Sequence, residues 1–429
     1  MNHKWCQHGR NDSYDAPNRD NCGHNLCSRR GQPVVNSVSR KAPAPSSIEA
    51  QRRLAYFDER RDEIVSTIRE LVEIESPSDS KTAVDRVSDA VAQKFSDLGG
   101  KIRVHQAKDF GNHLQIDFDL HDKAAAKPVL LLGHYDTVYP LGTLTTMPCR
   151  TVDNKLTGPG VLDMKSGIAL MLHALGALKE WHGGLPRPVT VLLVSDEEVG
   201  SDSSRAITES LAKKSAAVLV LEPSYGPQGA VKTARKGVGD YLVKVTGKAS
   251  HAGLDFQKGV NAILELARQI ERISSFTDLK KGLTVNVGIV IGGSRTNVVP
   301  AEASAQVDVR IARMKDAAGI DKKMRSLRPF NRKCKIEISG GINRPPLERT
   351  AGVAALYAQA AAIARELGWK LGEAAVGGGS DGNFTAGLGI PTLDGLGGVG
   401  DGAHAVHEHI LISELPRRAV LIAGLIERV

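Results

Sequence analysis

The stretch Val129–Leu141 reads Val-Leu-Leu-Leu-Gly-His-Tyr-Asp-Thr-Val-Tyr-Pro-Leu and is the part of the sequence that best predicts the fold. Its first four residues are a continuous apolar run, which is typical of a parallel strand covered on both faces. The run leads into a turn that carries His134 and Asp136. In open α/β sheets, functional groups collect beyond the carboxyl ends of such strands. His134 could bind a metal there while Asp136 orients the imidazole, but one His-x-Asp is weak evidence by itself.

Other ionisable residues follow apolar runs in the same way. They are Glu197 and Glu198 after the run Val189–Val194, Glu222 after Ala217–Leu221, His404 after Ile390–Leu393, and Asp163 at the start of a predicted helix. Each of these residues could by itself be a solvated turn or surface group. Because several strand ends carry them, we expect one site at the carboxyl edge of a parallel sheet.

The composition favours a globular enzyme over a membrane protein or a nucleic-acid binder. The chain has 429 residues, of which 41% are hydrophobic, so two or three domains are expected. No run approaches the roughly 18 apolar residues of a membrane span. Of the net charge of +8, residues 1–42 carry +4 (seven Lys/Arg, three Asp), and aromatic residues make up only 4%. With five cysteines and no recognisable secretory signal, we expect unpaired thiols and a cytoplasmic location.

The chain is expected to have an α/β fold in three parts. Residues 1–48 are polar and predicted to be a disordered N-terminal extension. A small zinc knuckle is the lesser alternative for this segment, and its ligands would come from Cys6, His8, Cys22, His24 and Cys27. Residues 49–235 and 344–429 are predicted to form a catalytic domain with a mostly parallel central sheet flanked by helices. Residues 236–343 read β-α-β-β-α-β and predict an inserted ferredoxin-like α+β domain, which would serve as a lid or dimerisation domain.

The ligand types suggest a metal. Carboxylates and two imidazoles without a thiolate suit Zn²⁺, with Co²⁺ or Mn²⁺ as possible substitutes. If Asp163 bridges two ions, three negative charges face four positive ones, and the surplus would stabilise a bridging hydroxide. A carboxylate that is not a ligand could then act as general base and later protonate the leaving amine.

Four motifs resemble the co-catalytic zinc amidohydrolases. They are Gly-His-Tyr-Asp-Thr-Val at 133–138, Gly-Pro-Gly-Val-Leu-Asp-Met-Lys-Ser-Gly at 158–167, Asp-Glu-Glu-Val-Gly-Ser at 196–201 and Leu-Glu-Pro at 221–223. That family includes glutamate carboxypeptidases, acetylornithine deacetylases, succinyl-diaminopimelate desuccinylases and aminoacylases. The likeness runs from about residue 50 to the C-terminus, in order and with the family's spacing.

The resemblance implies two zinc ions per subunit. One ion would be held by His134, Asp163 and Glu222, and the other by Asp163, Glu198 and His404. Glu197 would be the general base, and Asp136 would orient His134.

The resemblance also implies a homodimer and a set of substrate contacts. His251, in Gly-Lys-Ala-Ser-His-Ala-Gly at 247–253, would reach the active site of a partner subunit and stabilise the oxyanion. Asn297 and Arg310 would bind the substrate carboxylate, since a guanidinium can donate two parallel hydrogen bonds. Gly378 and Gly379 would offer backbone donors. Arg344 either meets a second substrate carboxylate or only leads back into the catalytic domain.

The wording of the motifs is closest to the folate-cleaving glutamate carboxypeptidases. We therefore expect a metallocarboxypeptidase that releases C-terminal glutamate from N-acyl-glutamate or folate-like substrates, with no nucleic-acid or membrane partner. The alternative is an N-acyl-amino-acid deacylase of the acetylornithine or succinyl-diaminopimelate type. A binding or scaffold protein on the same fold is disfavoured because the general base and all five ligand positions are retained.

Overall fold

The computed structural model describes residues 48–119 and 126–429. The predictions for residues 1–47, including the alternative zinc knuckle, lie outside the described residues. The helices of the described part are α1 (Ile48–Glu59), α2 (Arg61–Val72), α3 (Lys81–Asp97), α4 (Ser166–His182), α5 (Arg205–Lys214), α6 (Ala262–Ser274), α7 (Ala317–Arg325), α8 (Ala351–Glu366), α9 (Gly382–Gly387) and α10 (Leu415–Arg428).

The strands of the described part include several of only two residues. They are β1 (Lys101–His105), β2 (His113–Phe118), β3 (Val129–His134), β4 (Arg150–Val152), β5 (Lys155–Thr157), β6 (Val189–Val194), β7 (Ala217–Val220), β8 (Val231–Arg235), β9 (Gly237–Thr246), β10 (Ser250–His251), β11 (Thr284–Gly292), β12 (Val298–Val299), β13 (Glu302–Ile311), β14 (Lys335–Arg344), β15 (Glu373–Val376), β16 (Thr392–Leu393), β17 (Gly400–Asp401) and β18 (His409–Leu411).

The strand β3 lies inside a six-stranded sheet of order β1-β2-β6-β3-β7-β16. It pairs in parallel with β6 and β7, and β16 pairs in parallel with β7, while β1 and β2 run antiparallel at one edge. Val129 and Leu131 pack into the core that contains α4 and α10, whereas Leu130 and Leu132 pack on the side of α5. Both faces of β3 are therefore covered, which explains why its sequence does not alternate.

The most apolar helical stretch belongs to the core. Among the described residues, Val161–His182 has the length and composition of a membrane span, but 78% of its most apolar window is buried inside the protein. Its main part, α4, packs against α10 and α2. Burial inside the fold accounts for its hydropathy.

A second sheet has the order β11-β13-β9-β14 and is antiparallel throughout. Its elements follow one another as β9-α6-β11-β13-α7-β14, the predicted ferredoxin-like sequence of elements. Alternate residues of β9 and β13 are buried, and they form a separate core with the apolar sides of α6 and α7. The predicted fold class, an α/β sheet domain with an inserted α+β domain, is confirmed. The exact domain boundaries and a role in dimerisation stay predictions.

The backbone around Asp163 differs from the prediction. The helix α4 begins at Ser166, and Asp163 lies before it in a tight turn with φ −113° and ψ 93°, outside the helical region. Gly160, with φ +70°, precedes this turn and adopts a conformation that glycine accepts without steric cost. Asp163 is therefore presented by a loop and not by a regular helix.

The partly buried His173 of α4 predicts a pH-dependent stability. Burial lowers its pKa to about 4, with the charge of Lys94 as a smaller cause, and its Nε2 lies 3.0 Å from Oγ1 of Thr67. In the unfolded chain a histidine takes up a proton near pH 6.5. The neutral imidazole therefore contributes stability above about pH 6.5 that is lost as the pH falls towards 4. When the pH falls from 7 to 5, this group should lower the free energy of unfolding by roughly 2 kcal/mol.

Urea unfolding at pH 7 and pH 5 checks this expectation. The variant His173→Gln should lose less stability over this range than the wild type. His182→Gln serves as the control, since His182 lies on the same helix but is exposed. If His173→Gln loses as much stability as the wild type, His173 is not the cause.

Candidate active site

Five of the predicted residues meet at the carboxyl edge of the six-stranded sheet. Nε2 of His134 lies 3.2 Å from Asp163 and 3.4 Å from Glu222, and Nε2 of His404 lies 3.2 Å from Glu198 and 3.4 Å from Asp163. Two groups of three possible ligands, His134–Asp163–Glu222 and Asp163–Glu198–His404, each have their ligand atoms within 4.8 Å of one another. Both groups contain Asp163. This arrangement brings together every predicted metal ligand.

Strand ends and loops position these side chains. His134 is the last residue of β3, Glu222 follows β7, and Glu198 lies in a short 3-10 turn after β6. Because β3, β6 and β7 are parallel neighbours, their carboxyl ends lie at the same edge. His404 comes from a separate loop and has a positive φ of 63°. The sheet therefore brings three of the five groups together, and two loops bring the others.

The electrostatics of this cluster fit a bound cation. Burial disfavours the charged imidazole of His134, but its hydrogen bonds to the carboxylates of Asp136, Asp163 and Glu222 raise its pKa well above the usual value. Hydrogen bonds to Asp163 and Glu198 raise the pKa of His404 to about 10. Four carboxylates thus stabilise positive charge on the two histidines. A divalent cation would provide that charge in place of the protons, and the mix of carboxylates and imidazoles suits Zn²⁺, Co²⁺ or Mn²⁺.

Asp136 is fully buried and connects His134 to the turn that carries Glu197 and Glu198. Its main-chain oxygen lies 3.0 Å from Nδ1 of His134, and one carboxylate oxygen lies 3.4 Å from the same nitrogen. The carboxylate also accepts hydrogen bonds from the backbone N–H groups of Glu197 and Glu198 and from Oγ of Ser78. Asp136 is placed to orient the imidazole, as predicted, and it also fixes the neighbouring turn.

Glu197 faces the cluster from the same turn without belonging to either group of ligands. Burial raises its pKa well above the usual value, although the charge of Arg344 opposes this shift. Its carboxylate accepts a hydrogen bond of 3.0 Å from Nη1 of Arg344, and its main-chain oxygen accepts one of 3.0 Å from Nη2. The position suits a group that exchanges protons beside the cluster.

Arg344 differs from the prediction in its surroundings. It is buried, and besides Glu197 it donates to Asp381 at 2.8 Å and to Ser201 at 2.7 Å. Its two terminal nitrogens are therefore engaged by groups of the protein. A substrate carboxylate, the predicted partner, would have to displace one of these contacts.

The cluster lies in the wall of a cavity of about 1040 Å³. Arg310, Gly378 and Gly379 line this cavity, as expected for residues that contact a substrate. Arg310 is half-buried and pairs with Asp308 at 2.8 Å. His251 and Asn297 are exposed and do not line the cavity within this chain. Nδ1 of His251 instead accepts hydrogen bonds from the backbone N–H groups of Gly253 and Leu254.

Two further buried residues hold the ligands and were not predicted. Glu408 accepts hydrogen bonds from the backbone N–H groups of Gly160, Leu162 and Asp163 at 2.7–3.0 Å. Arg235 binds Glu222 at 3.2 Å through Nη2 and pairs with Asp394 through two nitrogens. Each lies in a stretch without a distinctive motif. A charged residue at a buried strand position is the only signal for Arg235, and it is visible only once the strand is placed.

Arg235 also accounts for the shape of the glycine-rich loop. Its Nη1 donates to the carbonyl oxygens of Gly378 and Gly379 at 3.3 and 3.0 Å. These hydrogen bonds fix the loop beside the cavity. One arginine therefore positions a ligand of the cluster and a loop expected to contact the substrate.

Comparisons with known proteins agree with this geometry. A profile of the peptidase family M20/M25/M40 matches residues 130–428. The chain is 32% identical over 396 residues to carboxypeptidase G2 of Pseudomonas sp. (strain RS-16), an alignment that covers 89% of this chain and 94% of that protein. A probable carboxypeptidase of Aspergillus terreus is 32% identical over 206 residues, which cover 44% of this chain and 46% of that protein.

Solved structures show the same fold. Aminopeptidase PepT of Bacillus cereus superposes with a TM-score of 0.70 at 23% identity, covering 86% of this chain and 98% of that one. An M20 family metallo-carboxypeptidase of Sulfolobus solfataricus gives 0.67 at 18% identity, with 85% and 99% covered. The chain belongs to the peptidase family M20/M25/M40 and is a hydrolase of peptide or amide bonds.

Proposed function

We propose that the protein is a zinc-dependent carboxypeptidase that releases C-terminal glutamate from N-acyl-glutamate or folate-like substrates. The observation that carries this proposal is the double cluster around Asp163, with Glu197 beside it and a cavity lined by cationic groups in front. The likeness to carboxypeptidase G2 supports the carboxypeptidase class. The choice of glutamate rests on the wording of the motifs and on the lysine and arginine side chains among the residues that line the cavity.

In this proposal His134, Asp163 and Glu222 hold one Zn²⁺, and Asp163, Glu198 and His404 hold the other. Two bound cations would supply Lewis acidity, which polarises the scissile carbonyl and makes water more acidic. A solved structure of similar fold is a dinuclear metal-binding peptidase of Bacillus subtilis, and this likeness supports two ions rather than one. The two groups of possible ligands have only Asp163 in common, which also supports two ions.

Glu197 acts as the general base and then as the general acid. Its carboxylate removes a proton from the attacking water and passes it to the nitrogen of the leaving amino acid. The raised pKa that burial gives Glu197 suits a group that must both take up and release a proton. Arg344 keeps the carboxylate in place through its hydrogen bond of 3.0 Å.

Substrate binding involves both sheets. Arg310 receives the α-carboxylate, for which its guanidinium has the right planar arrangement of donors. Gly378 and Gly379 donate backbone hydrogen bonds, and Asn297 and His251 complete the site from a second subunit. Both lie outside the cavity of their own chain, which is what a contribution to a partner requires.

The inserted domain supports a homodimer through β11. This strand is at the edge of its sheet, and its residues Ile289, Val290 and Ile291 are 49%, 54% and 64% exposed. An unpaired edge strand with exposed apolar residues is a template for association. A partner strand would cover it. A cytoplasmic location stays a prediction.

A substrate panel tests the function. We expect the zinc-loaded protein to release glutamate from N-acyl-glutamate and folate faster than ornithine or neutral amino acids from their N-acetyl derivatives. Removal of metal with a chelator should abolish turnover, and Zn²⁺ should restore it. Amine release is the measurement. No turnover of any member with metal bound would overturn the hydrolase mechanism, and preference for neutral substrates would favour the deacylase alternative.

Glu408→Gln tests how the loop that carries Asp163 is held. An amide offers only one acceptor oxygen for the three backbone N–H groups, so the loop should lose its fixed position. We expect the affinity for Zn²⁺ to fall about 10- to 100-fold. Competition with a chromophoric chelator measures this, and Glu414→Gln is the control because Glu414 is only partly buried and makes none of these contacts. Equal affinities of the two variants would argue against this role of Glu408.

Mixed dimers test the contribution of His251. Glu197→Gln should retain zinc but lose turnover, and His251→Ala should lose most turnover. If His251 acts in the partner's site, mixing and reassociating the two inactive variants in equal amounts creates one intact site per mixed dimer. Random reassociation should then restore about a quarter of the wild-type rate. Absence of recovery in verified mixed dimers would show that His251 acts within its own chain or not at all.

A further inference from the structure

The positively charged residues that line the cavity differ in what they bind. Arg235 is engaged by Asp394, Glu222 and two carbonyl oxygens, and Arg344 by Glu197, Asp381 and Ser201. Arg310 pairs with Asp308. Their guanidinium groups are thus at least partly neutralised by the protein itself.

Lys232 is the exception. It lines the cavity and is only 8% exposed, yet among the described residues its ammonium group has no hydrogen bond and no ion pair. Lys155 also lines the cavity without a partner, but it is exposed, so water can solvate its charge. A buried charge without a partner costs free energy that a protein usually avoids. The wall therefore contains a lysine whose charge interacts with Asp394, Glu222 and Asp163 only at a distance, without an ion pair or hydrogen bond in the described part of the chain.

The backbone around Lys232 is built to present this side chain. In the pairing of β8 with β15, Lys232 faces Ala374 and Ala234 faces Ala375, so Thr233 is an extra residue in β8. Such a bulge shifts the alternation of side chains, and Lys232 and Arg235, three residues apart, both line the cavity. A regular strand would direct them to opposite faces.

The stem of Lys232 is also fixed. Its backbone N–H donates to the carbonyl of Asp394 at 2.7 Å, and the N–H of Asp394 donates back at 3.2 Å. Gly395, with φ +74°, packs on the stem, and a Cβ there would lie 3.0 Å from Cγ of Lys232. The base of this side chain is thus held by contacts with Asp394 and Gly395, which an unconstrained surface lysine does not have.

The nearby carboxylates have closer partners than Lys232. Asp394 is paired with Arg235, and Glu222 belongs to one of the two ligand groups and also contacts Arg235. With both already engaged, the ammonium of Lys232 remains for an anion that enters the cavity. An ammonium group has three donors and no acceptor, so the carboxylate of a substrate is a suitable partner for it.

We propose that Lys232 is a specificity-determining residue that binds the side-chain carboxylate of the substrate's C-terminal amino acid. This proposal rests on the proposed function, in which Arg310 receives the α-carboxylate. Lys232 then acts as the second basic group that meets the substrate. Arg344 is not available for this role, because it is already bound to Glu197 and Asp381. Selection of glutamate over glutamine follows, because the neutral amide gains no ionic interaction with the ammonium.

The test compares two substrates that differ only in this group. N-acyl-glutamate and N-acyl-glutamine have the same length and the same α-carboxylate. In Lys232→Met, the ratio of kcat/KM for glutamate to kcat/KM for glutamine should fall about 10- to 100-fold, mainly through KM for the glutamate substrate. Lys232→Arg should retain part of the preference. Lys155→Met is the matched control and should leave the ratio unchanged.

Two results would overturn the proposal. In both of them the ratio for Lys232→Met stays at the wild-type value: either neither kcat/KM changes, or both fall by the same factor, which would indicate a structural role. Thermal melting and zinc content of each variant show whether it is folded and loaded. An unfolded Lys232→Met is replaced by Lys232→Gln, to which the same criteria apply.

Failure of the proposed function is recognised separately. If the wild type cleaves no N-acyl-glutamate, the glutamate carboxypeptidase proposal is wrong whatever Lys232 does. The anion site is then tested alone, by measuring how strongly glutarate and glutaramate inhibit the cleavage of a substrate that the wild type does hydrolyse. Glutaramate has a neutral amide in place of one carboxylate of glutarate. The inference about Lys232 requires glutarate to bind more tightly in the wild type and to lose that advantage in Lys232→Met. Any other outcome overturns it.

Discussion

Three carboxylates held against two imidazoles, with Asp163 between the histidines, are the interaction on which the rest of the site depends. Like charges at this distance repel one another, and the repulsion is strong where water is excluded. A protonated imidazole balances part of this charge, so hydrogen bonds to the carboxylates raise the pKa values of His134 and His404, although burial opposes this. Cations would balance it more completely. The surrounding structure must hold the carboxylates in place in either state.

A ring of buried groups does this, and it works mainly through backbone hydrogen bonds. Asp136 accepts from the turn that carries Glu197 and Glu198, and Glu408 accepts from the turn that carries Asp163. Arg235 binds Glu222 from the side away from His134. Because these contacts fix loops as well as side chains, they define the separations between ligands before any ion binds. This is the preorganisation that a metal site needs.

The charges of the cavity are divided between support and recognition. Arg235 and Arg344 form ion pairs with carboxylates of the protein, so their positive charge is largely balanced within the fold. Arg344 is the last residue of β14 and therefore connects the inserted sheet to Glu197. Movement of the inserted domain would act on the proposed general base through this contact. The proposed recognition of the substrate would then depend on Arg310 and Lys232, which have fewer internal partners.

The sequence by itself determined the α/β fold class and all five members of the cluster. Continuous apolar runs predict buried parallel strands, with His134, Glu198 and Glu222 at or just after the ends of three of them, whereas the assignment of Asp163 and His404 rests on the resemblance to a known family. Only the tertiary structure decided the partners of Arg344, which lies 147 residues from Glu197, the contacts of Glu408 and Arg235, and the position of Lys232 in the cavity wall. Their contacts depend on which loops converge and on one extra residue in β8. Hydrophobic periodicity indicates which side of an element is buried. It does not indicate which charged residue from a distant part of the sequence will contact that element.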